Sequence, residues 1–213
     1  MQIQDNTAIV NTANDLLSEI TSSAQPEVEM MIGIGIVKDS EAVFFQYLGD
    51  DRAPMALMLP SGKPVTRMEG VLVTGSSIAE GVGEFNSTKL NLFLQTGNGR
   101  TIMLTSGLST LWSQCVLTGL NELAMSGGLE NTIALDSWKG NSKMRPCFAA
   151  VRQGRAKFSS QEMYDALVSA RQSKNFSLVE EICRDAVAVI SGALGTPITQ
   201  DVVVLPSNDS SDY

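Results

Sequence analysis

The hydrophobic pattern at the start of the chain has helical spacing. Between residues 9 and 23, apolar side chains recur every three or four positions, which predicts an amphipathic helix. Pro26 then separates this helix from the following segment. We therefore expect residues 1–26 to form an N-terminal helical segment.

The next apolar residues form short runs typical of β-strands. The runs 30–37 and 42–48 lie on either side of a short polar turn, KDSE, and predict a β-hairpin. A shorter apolar run at 55–59 predicts another strand. Residues 65–74 predict a fourth strand, and the Gly/Ser-rich composition of 75–87 predicts a long loop.

The clearest local pattern surrounds Asn98 and Gly99. Leucine occupies every second position at the start of 90–96, and a partner strand is predicted at 101–105. The Asn-Gly step between them supplies the positive φ angles that a tight hairpin needs. The pattern therefore predicts a hairpin with one apolar face.

A helix is predicted directly after this hairpin. Residues 108–125 carry apolar side chains at helical spacing, and Ser109 or Thr110 can cap the start. The Gly-Gly step that begins at Gly127 is typical of a helix end. Trp112 lies within the helix and is expected to pack in the core.

Two strands are predicted after the helix. Residues 131–135 form the first, residues 137–144 a polar loop, and residues 145–158 a long strand that breaks near Gly154.

The last third of the chain is predicted to be helical. Residues 160–172 and 176–194 each carry a stripe of apolar side chains, so we expect 159–195 to form a helical segment. A short β segment is expected at 201–205. It lies within 196–213, whose polar and acidic end is expected to be disordered.

Positive charge is concentrated in residues 136–158, although the formal net charge of the chain is −8. This basic band holds six of the 15 Lys and Arg residues against one acid, Asp136, and three aromatic residues are interleaved with them. Cations can follow a phosphate backbone while aromatic faces stack on bases, the combination that single-stranded nucleic acid requires. The same composition also suits a basic, half-solvated hairpin without a ligand.

The candidate contacts are the cations of the basic band, a tryptophan in the predicted loop, and two cations near the Asn-Gly turn. Phe148 or Phe158 offers a second stacking face, although the alternation in CFAAV favours a core position for Phe148. The nucleic-acid-binding candidates are Trp138, Lys139, Lys143, Arg145, Arg152, Arg155, Lys157, Arg100 and Lys89.

The chain contains no histidine, so the commonest general base and metal ligand is missing. It also has no phosphate-binding glycine motif and no acids at metal spacing. We therefore expect a non-enzyme that has no metal and no cofactor. The remaining catalytic alternative uses carboxylates on predicted loops. These are Asp50, Asp51, Glu80 and Glu84.

The cysteines and the apolar runs favour a cytoplasmic location without a membrane partner. Cys115, Cys147 and Cys183 are odd in number and far apart, as free thiols in a reducing compartment would be. The longest apolar runs, 30–37 and 53–60, are too short to span a bilayer.

Between residues 65 and 158, the predicted order of elements resembles the OB-fold, a five-stranded Greek-key barrel whose helix follows the third strand. The resemblance implies an α+β fold in which 27–158 form an OB-like domain, with additional N-terminal strands and C-terminal helices. It also implies that oligonucleotides lie across strands 2 and 3, between the loops 75–87 and 137–144. The basic band therefore falls on the implied binding face.

The end of the chain is similar to the acidic, aromatic-ended tails of bacterial and phage single-stranded DNA-binding proteins. Asp209, Asp212 and Tyr213 carry this similarity. It implies that the tail recruits replication or recombination proteins, whereas an ordinary polar terminus has a comparable composition.

Two hypotheses of different classes remain beside the carboxylate enzyme. The first is a single-stranded DNA-binding protein that acts in replication, recombination or repair. The alternative is a structural or assembly protein, such as a phage or filament subunit, whose basic hairpin contacts a neighbouring protein. The strands predicted within 30–59 lie outside the five-stranded core and offer edges for self-association, so we expect a homo-oligomer.

Overall fold

The computed structural model describes residues 27–48, 53–73, 76–82 and 87–195, which form a mixed α+β fold of ten strands and three helices. The strands are β1 (Met30–Ile34), β2 (Phe44–Leu48), β3 (Ala53–Ala56), β4 (Arg67–Leu72), β5 (Ser77–Val82), β6 (Ser87–Gln95), β7 (Thr101–Gly107), β8 (Ile133–Lys139), β9 (Cys147–Gln153) and β10 (Ala156–Phe158). The helices are α1 (Leu111–Ser126), α2 (Gln161–Gln172) and α3 (Phe176–Ala193).

The described strands form one sheet in the order β10-β9-β8-β4-β6-β7-β1-β2-β3. Strand β5 pairs with the first half of β6, on the edge that β4 occupies further along. All neighbours are antiparallel except β1 and β7, which run parallel with Ile32 opposite Leu104. The sheet is open, because no ladder joins its two end strands in the described part of the chain.

The hairpin of β6 and β7 confirms the prediction around the Asn-Gly step. Leu92 faces Leu104 across the two strands, and both side chains are fully buried. Gly99 adopts a φ of 82°, and the turn is closed by a 2.8 Å bond from Thr96 N–H to the Arg100 carbonyl. One face of the hairpin therefore enters the core, as the alternation predicts.

Helix α1 covers the inner face of the sheet. Its N-cap is Thr110, whose side chain accepts from Ser113 N–H, and its end is Gly127 at a φ of 72°. A Cβ at Gly119 would lie 2.5 Å from the Val151 side chain, so only glycine allows this close approach of α1 to β9. The helix and the strand thereby share one core.

Trp112 is a core residue, as predicted. Its side chain is 1% exposed, and Nε1–H donates to the Ser137 hydroxyl of β8 at 2.9 Å. The hydrogen bond satisfies the indole donor, which buried tryptophan requires. It ties α1 to the inner face of β8.

Two predicted loops are shorter than expected. The segment 75–87 contains β5, which pairs with β6 through a bulge between Ala79 and Val82, so its description as a loop is wrong. The predicted loop 137–144 begins only after β8 ends at Lys139, because β8 and β9 pair up to that position. The break near Gly154 is confirmed by the turn between β9 and β10.

A closed five-stranded barrel is not confirmed. The five strands of the OB-like prediction are adjacent in the order β9-β8-β4-β6-β7. A barrel needs its first and last strands to pair, but the free edge of β7 is taken by β1. The N-terminal strands β1 to β3 thus extend the sheet beyond β7.

The two C-terminal helices are confirmed by α2 and α3, which pack on α1. None of the three described helices is long and apolar enough to cross a membrane. The predicted N-terminal helix at 9–23, the β segment at 201–205 and the tail residues Asp209, Asp212 and Tyr213 lie outside the described residues.

Candidate nucleic-acid interface

The strands β8 and β9 separate the basic band into an inner and an outer face. Side chains alternate between faces along a strand. Ser137, bonded to α1, marks the inner face of β8. Trp138 therefore lies on the outer face, directly opposite Phe148 of β9. Arg152, four positions after Phe148 on β9, shares this outer face.

A stacked aromatic pair forms one end of this outer face. The rings of Trp138 and Phe148 are stacked, with centroids 6.2 Å apart and planes 21° from parallel. Trp138 remains 45% exposed. A Cβ at Gly140 would lie 2.8 Å from the Phe148 ring, so the glycine leaves room for it. Phe148 is therefore half-buried beneath Trp138 rather than within the core that its alternation favoured.

A charge network occupies the centre of the same face. Asp136 accepts from Arg67 of β4 at 2.9 Å and from Arg152 of β9 at 2.7 Å. Arg67 also pairs with Glu69 at 2.5 Å. This hydrogen bond is the main reason that the pKa of the Arg67 guanidinium lies above its ordinary value. The two arginines thus keep exposed guanidinium surface while their charge is partly balanced.

Lys139 points to the inner face and contacts the connection between β1 and β2. Its Nζ donates to the Ser40 carbonyl at 2.7 Å and to the Val37 carbonyl at 3.5 Å. Cys147, its cross-strand neighbour, donates from Sγ to the Gly35 carbonyl at 3.4 Å. Burial raises the pKa of the Cys147 thiol. The ammonium group of Lys139 is therefore directed away from Trp138.

Arg145 also contacts the connection between β1 and β2. Its guanidinium pairs with Glu41, and this hydrogen bond lowers the pKa of the Glu41 carboxyl. Arg145 has a φ of 43° and closes the β8–β9 turn through its N–H and the Ser142 carbonyl, 2.9 Å apart. The pair is exposed, so competing phosphate oxygens can reach it.

Besides Lys139, which bonds to backbone carbonyls, three cations of the basic band have no carboxylate partner among the residues that the structure describes. Lys143 lies in the β8–β9 turn, Arg155 in the β9–β10 turn, and Lys157 on β10. All three are exposed. Lys157 is paired in register with Arg152, which places it on the outer face.

Arg100 and Lys89 lie away from this group. Arg100 follows the β6–β7 turn and pairs with Glu29 at 3.2 Å. Lys89 is half-buried on β6, opposite Gly107. Strand β4 separates β6 from β8, so the structure does not bring these two cations beside Trp138.

One residue of the outer face was missed by sequence reasoning. Arg67 lies 69 positions before Asp136 in the chain and outside the basic band. The strand prediction at 65–74 contained it, but only the pairing of β4 with β8 places it beside Asp136.

Within the described residues, no group of three or more Cys, Asp or Glu side chains is arranged to hold a metal ion. Comparison of the chain with protein-family models, with curated proteins and with solved structures finds no match.

Proposed function

We propose that this protein binds single-stranded nucleic acid on the outer face of β8, β9 and β10, and that the nucleic acid is DNA. The observation that carries the proposal is the exposed Trp138, which stacks on Phe148 in an otherwise acidic chain. It shares the outer face with Lys157, a cation with no carboxylate partner among the described residues. Every base has a face that can stack on an aromatic ring, so this surface suits a single strand of any sequence.

The charges of this surface favour phosphates. Three cations border the outer face: Lys143 in the β8–β9 turn, Arg155 in the β9–β10 turn and Lys157 on β10. At its centre, Arg67 and Arg152 present guanidinium surface. The acidic remainder of the chain repels a polyanion and directs it towards this face. Lys139 is excluded from the proposed contact set because it points inward.

The OB-like interpretation remains part of this proposal. It is supported by the adjacency of five strands in the sheet, β9-β8-β4-β6-β7. In chain order, α1 lies between β7 and β8, the third and fourth of these five strands. OB-folds are partly open barrels that bind oligonucleotides. The single-stranded DNA-binding proteins that this chain resembles act in replication, recombination and repair. We propose the same class of process for this chain, with its terminal Asp209, Asp212 and Tyr213 as the partner-recruiting segment.

The test is a titration of a fluorescein-labelled oligothymidylate, followed by anisotropy at low and at moderate salt. We expect saturable binding that weakens with salt and is lost in a Trp138→Ala/Lys157→Gln variant. Phe176→Ala is the matched control, because Phe176 is an exposed aromatic on α3, away from the outer face. Absence of binding at low salt would overturn the proposal.

A structural or assembly role is the second candidate, and one observation favours it. Among the described strands, β3 is the last of the sheet, and the exposed apolar side chains on it or beside it are Tyr47, Met55, Met58 and Leu59. An uncovered edge with apolar neighbours invites pairing with another chain. Sedimentation velocity separates the two functions. Association that increases with protein concentration, without oligonucleotide binding, would favour assembly.

A further inference from the structure

A cleft of about 330 Å³ lies between α1, α2 and the first half of β9. It is separate from the charge network on Asp136, and it shares only Phe148 and Lys157 with the proposed nucleic-acid interface. A volume of this size is sufficient for a small ligand or for a few side chains of a peptide.

One wall of the cleft is an unpaired strand edge. Gly140 N–H donates to the Pro146 carbonyl at 2.8 Å. In this register, the main-chain N–H and C=O groups of the even-numbered residues of β9 bond to β8, and those of the odd-numbered residues point away from β8. Strand β10 pairs with β9 at Gln153, Arg152 and Val151 only. Ala149, which lines the cleft, therefore directs its N–H and C=O towards the cleft, where no described strand continues the ladder.

The remaining walls are mostly apolar. Leu111 and Cys115 of α1 face Leu167 and Val168 of α2, and Phe158 closes the end near β10. These side chains can receive one or two apolar side chains from a strand that lies along β9, because alternate residues of that strand point to the same face.

The charged groups at the cleft are cations. Among the described residues, Lys157 and Arg171 line it and no aspartate or glutamate does. Within the described part of the chain, Arg171 bonds to uncharged oxygens, Gln114 Oε1 at 2.8 Å and the Ser109 carbonyl at 3.4 Å. A carboxylate that enters the cleft therefore meets two cations without displacing another acid.

We propose that this cleft binds an extended peptide segment of a partner protein, which adds as a strand to the edge of β9 at Ala149. The segment has alternating apolar side chains, for the space between α1 and α2, and ends in or contains a carboxylate that pairs with Lys157 and Arg171. Addition of a strand to an unpaired sheet edge gives affinity through main-chain bonds and specificity through the pockets beside it. This site goes beyond nucleic-acid binding and does not depend on it.

The test uses a fluorescein-labelled pentapeptide of alternating threonine and valine that ends in aspartate with a free carboxylate. We expect its fluorescence polarisation to rise with protein concentration and to saturate. Val168→Trp should fill the cleft and weaken binding by about tenfold or more. The matched control is Ala166→Trp, which puts the same side chain on an exposed position of α2 outside the cleft and should bind as wild type does.

Two further arms test the carboxylate and the strand. Lys157→Gln/Arg171→Gln should weaken binding of the acidic peptide to the affinity that its amidated asparagine analogue shows for the wild-type protein. Binding of the peptide to the wild-type protein should also slow hydrogen exchange at the Ala149 amide. Equal binding by the Val168→Trp and wild-type proteins would overturn the proposal. So would displacement of the peptide by octanoate at similar concentration, because a small carboxylate needs no strand edge.

Discussion

Two tryptophans show how the position of single residues divides the structural and the proposed binding roles. Trp112 is buried and donates to Ser137, while Trp138, the next residue of β8, points to the opposite face and is 45% exposed. Alternation along β8 thus separates a core contact from a surface stacking residue within one dipeptide.

Trp138→Leu tests the stacking role of this side chain. Base–aromatic stacking contributes about 1–3 kcal/mol per base, so oligothymidylate affinity should fall by about tenfold. The free energy of unfolding should fall by only about 1 kcal/mol, through loss of the Phe148 contact. Anisotropy and urea titrations measure the two effects. A large loss of stability with unchanged affinity would show that Trp138 is structural.

At the scale of elements, the β8–β9 hairpin is held by the connection between β1 and β2. Lys139 bonds to the Ser40 carbonyl, Cys147 to the Gly35 carbonyl, and Arg145 to the Glu41 carboxylate. These contacts join segments about a hundred residues apart, as the separation of 99 positions between Lys139 and Ser40 shows. They support the strand that carries Trp138.

Lys139→Met should destabilise the fold while leaving the outer face intact. Loss of hydrogen bonds from a half-buried ammonium group should lower the free energy of unfolding by about 1–2 kcal/mol, measured by urea titration. Hydrogen exchange in 35–43 should become faster. The control is Lys143→Met, an exposed position that should leave stability unchanged. Unchanged stability with lost oligonucleotide binding in Lys139→Met would contradict the inward role.

Elements with strong local signals could be predicted from the sequence. The β6–β7 hairpin has alternating leucines and an Asn-Gly step, and α1 has a cap at Thr110 and an end at Gly127. Strand β5 could not be predicted, because its Gly/Ser-rich sequence is typical of loops and its conformation depends on pairing with β6. The parallel pairing of β1 with β7 is non-local and likewise has no local signature.

The candidate site could be predicted in composition but not in arrangement. The basic band and the exposed position of Trp138 follow from the sequence. The inward direction of Lys139 and the sharing of Asp136 by Arg67 and Arg152 depend on the packing of distant segments, so the number of available cations could not be predicted.

At the scale of the whole molecule, an acidic chain of net charge −8 carries a basic face with few unpaired cations. Lys143, Arg155 and Lys157 have no carboxylate partner in the described part of the chain. Each phosphate contact on a single strand contributes about −0.7 to the slope of log K against log salt. Affinity should therefore depend on salt, but less than for a broadly basic protein.

The salt dependence gives a quantitative prediction. Three phosphate contacts predict a slope of about −2 for oligothymidylate, and Lys143→Gln/Lys157→Gln should reduce it to about −0.7. Lys174→Gln, between α2 and α3, is the charge-matched control and should leave the slope unchanged. A slope steeper than about −4 would show that the paired arginines also exchange their carboxylates for phosphates.

The most direct test of the account is the fluorescence of the two tryptophans during oligothymidylate binding. Stacked bases should quench Trp138 in the wild-type protein. Trp138→Phe retains an aromatic face and should still bind by anisotropy, but its remaining emission comes from Trp112, which is 1% exposed and should not be quenched. Binding with equal quenching in both proteins, or binding without quenching in the wild type, would contradict stacking on Trp138. Absence of oligothymidylate binding would contradict the proposed function itself.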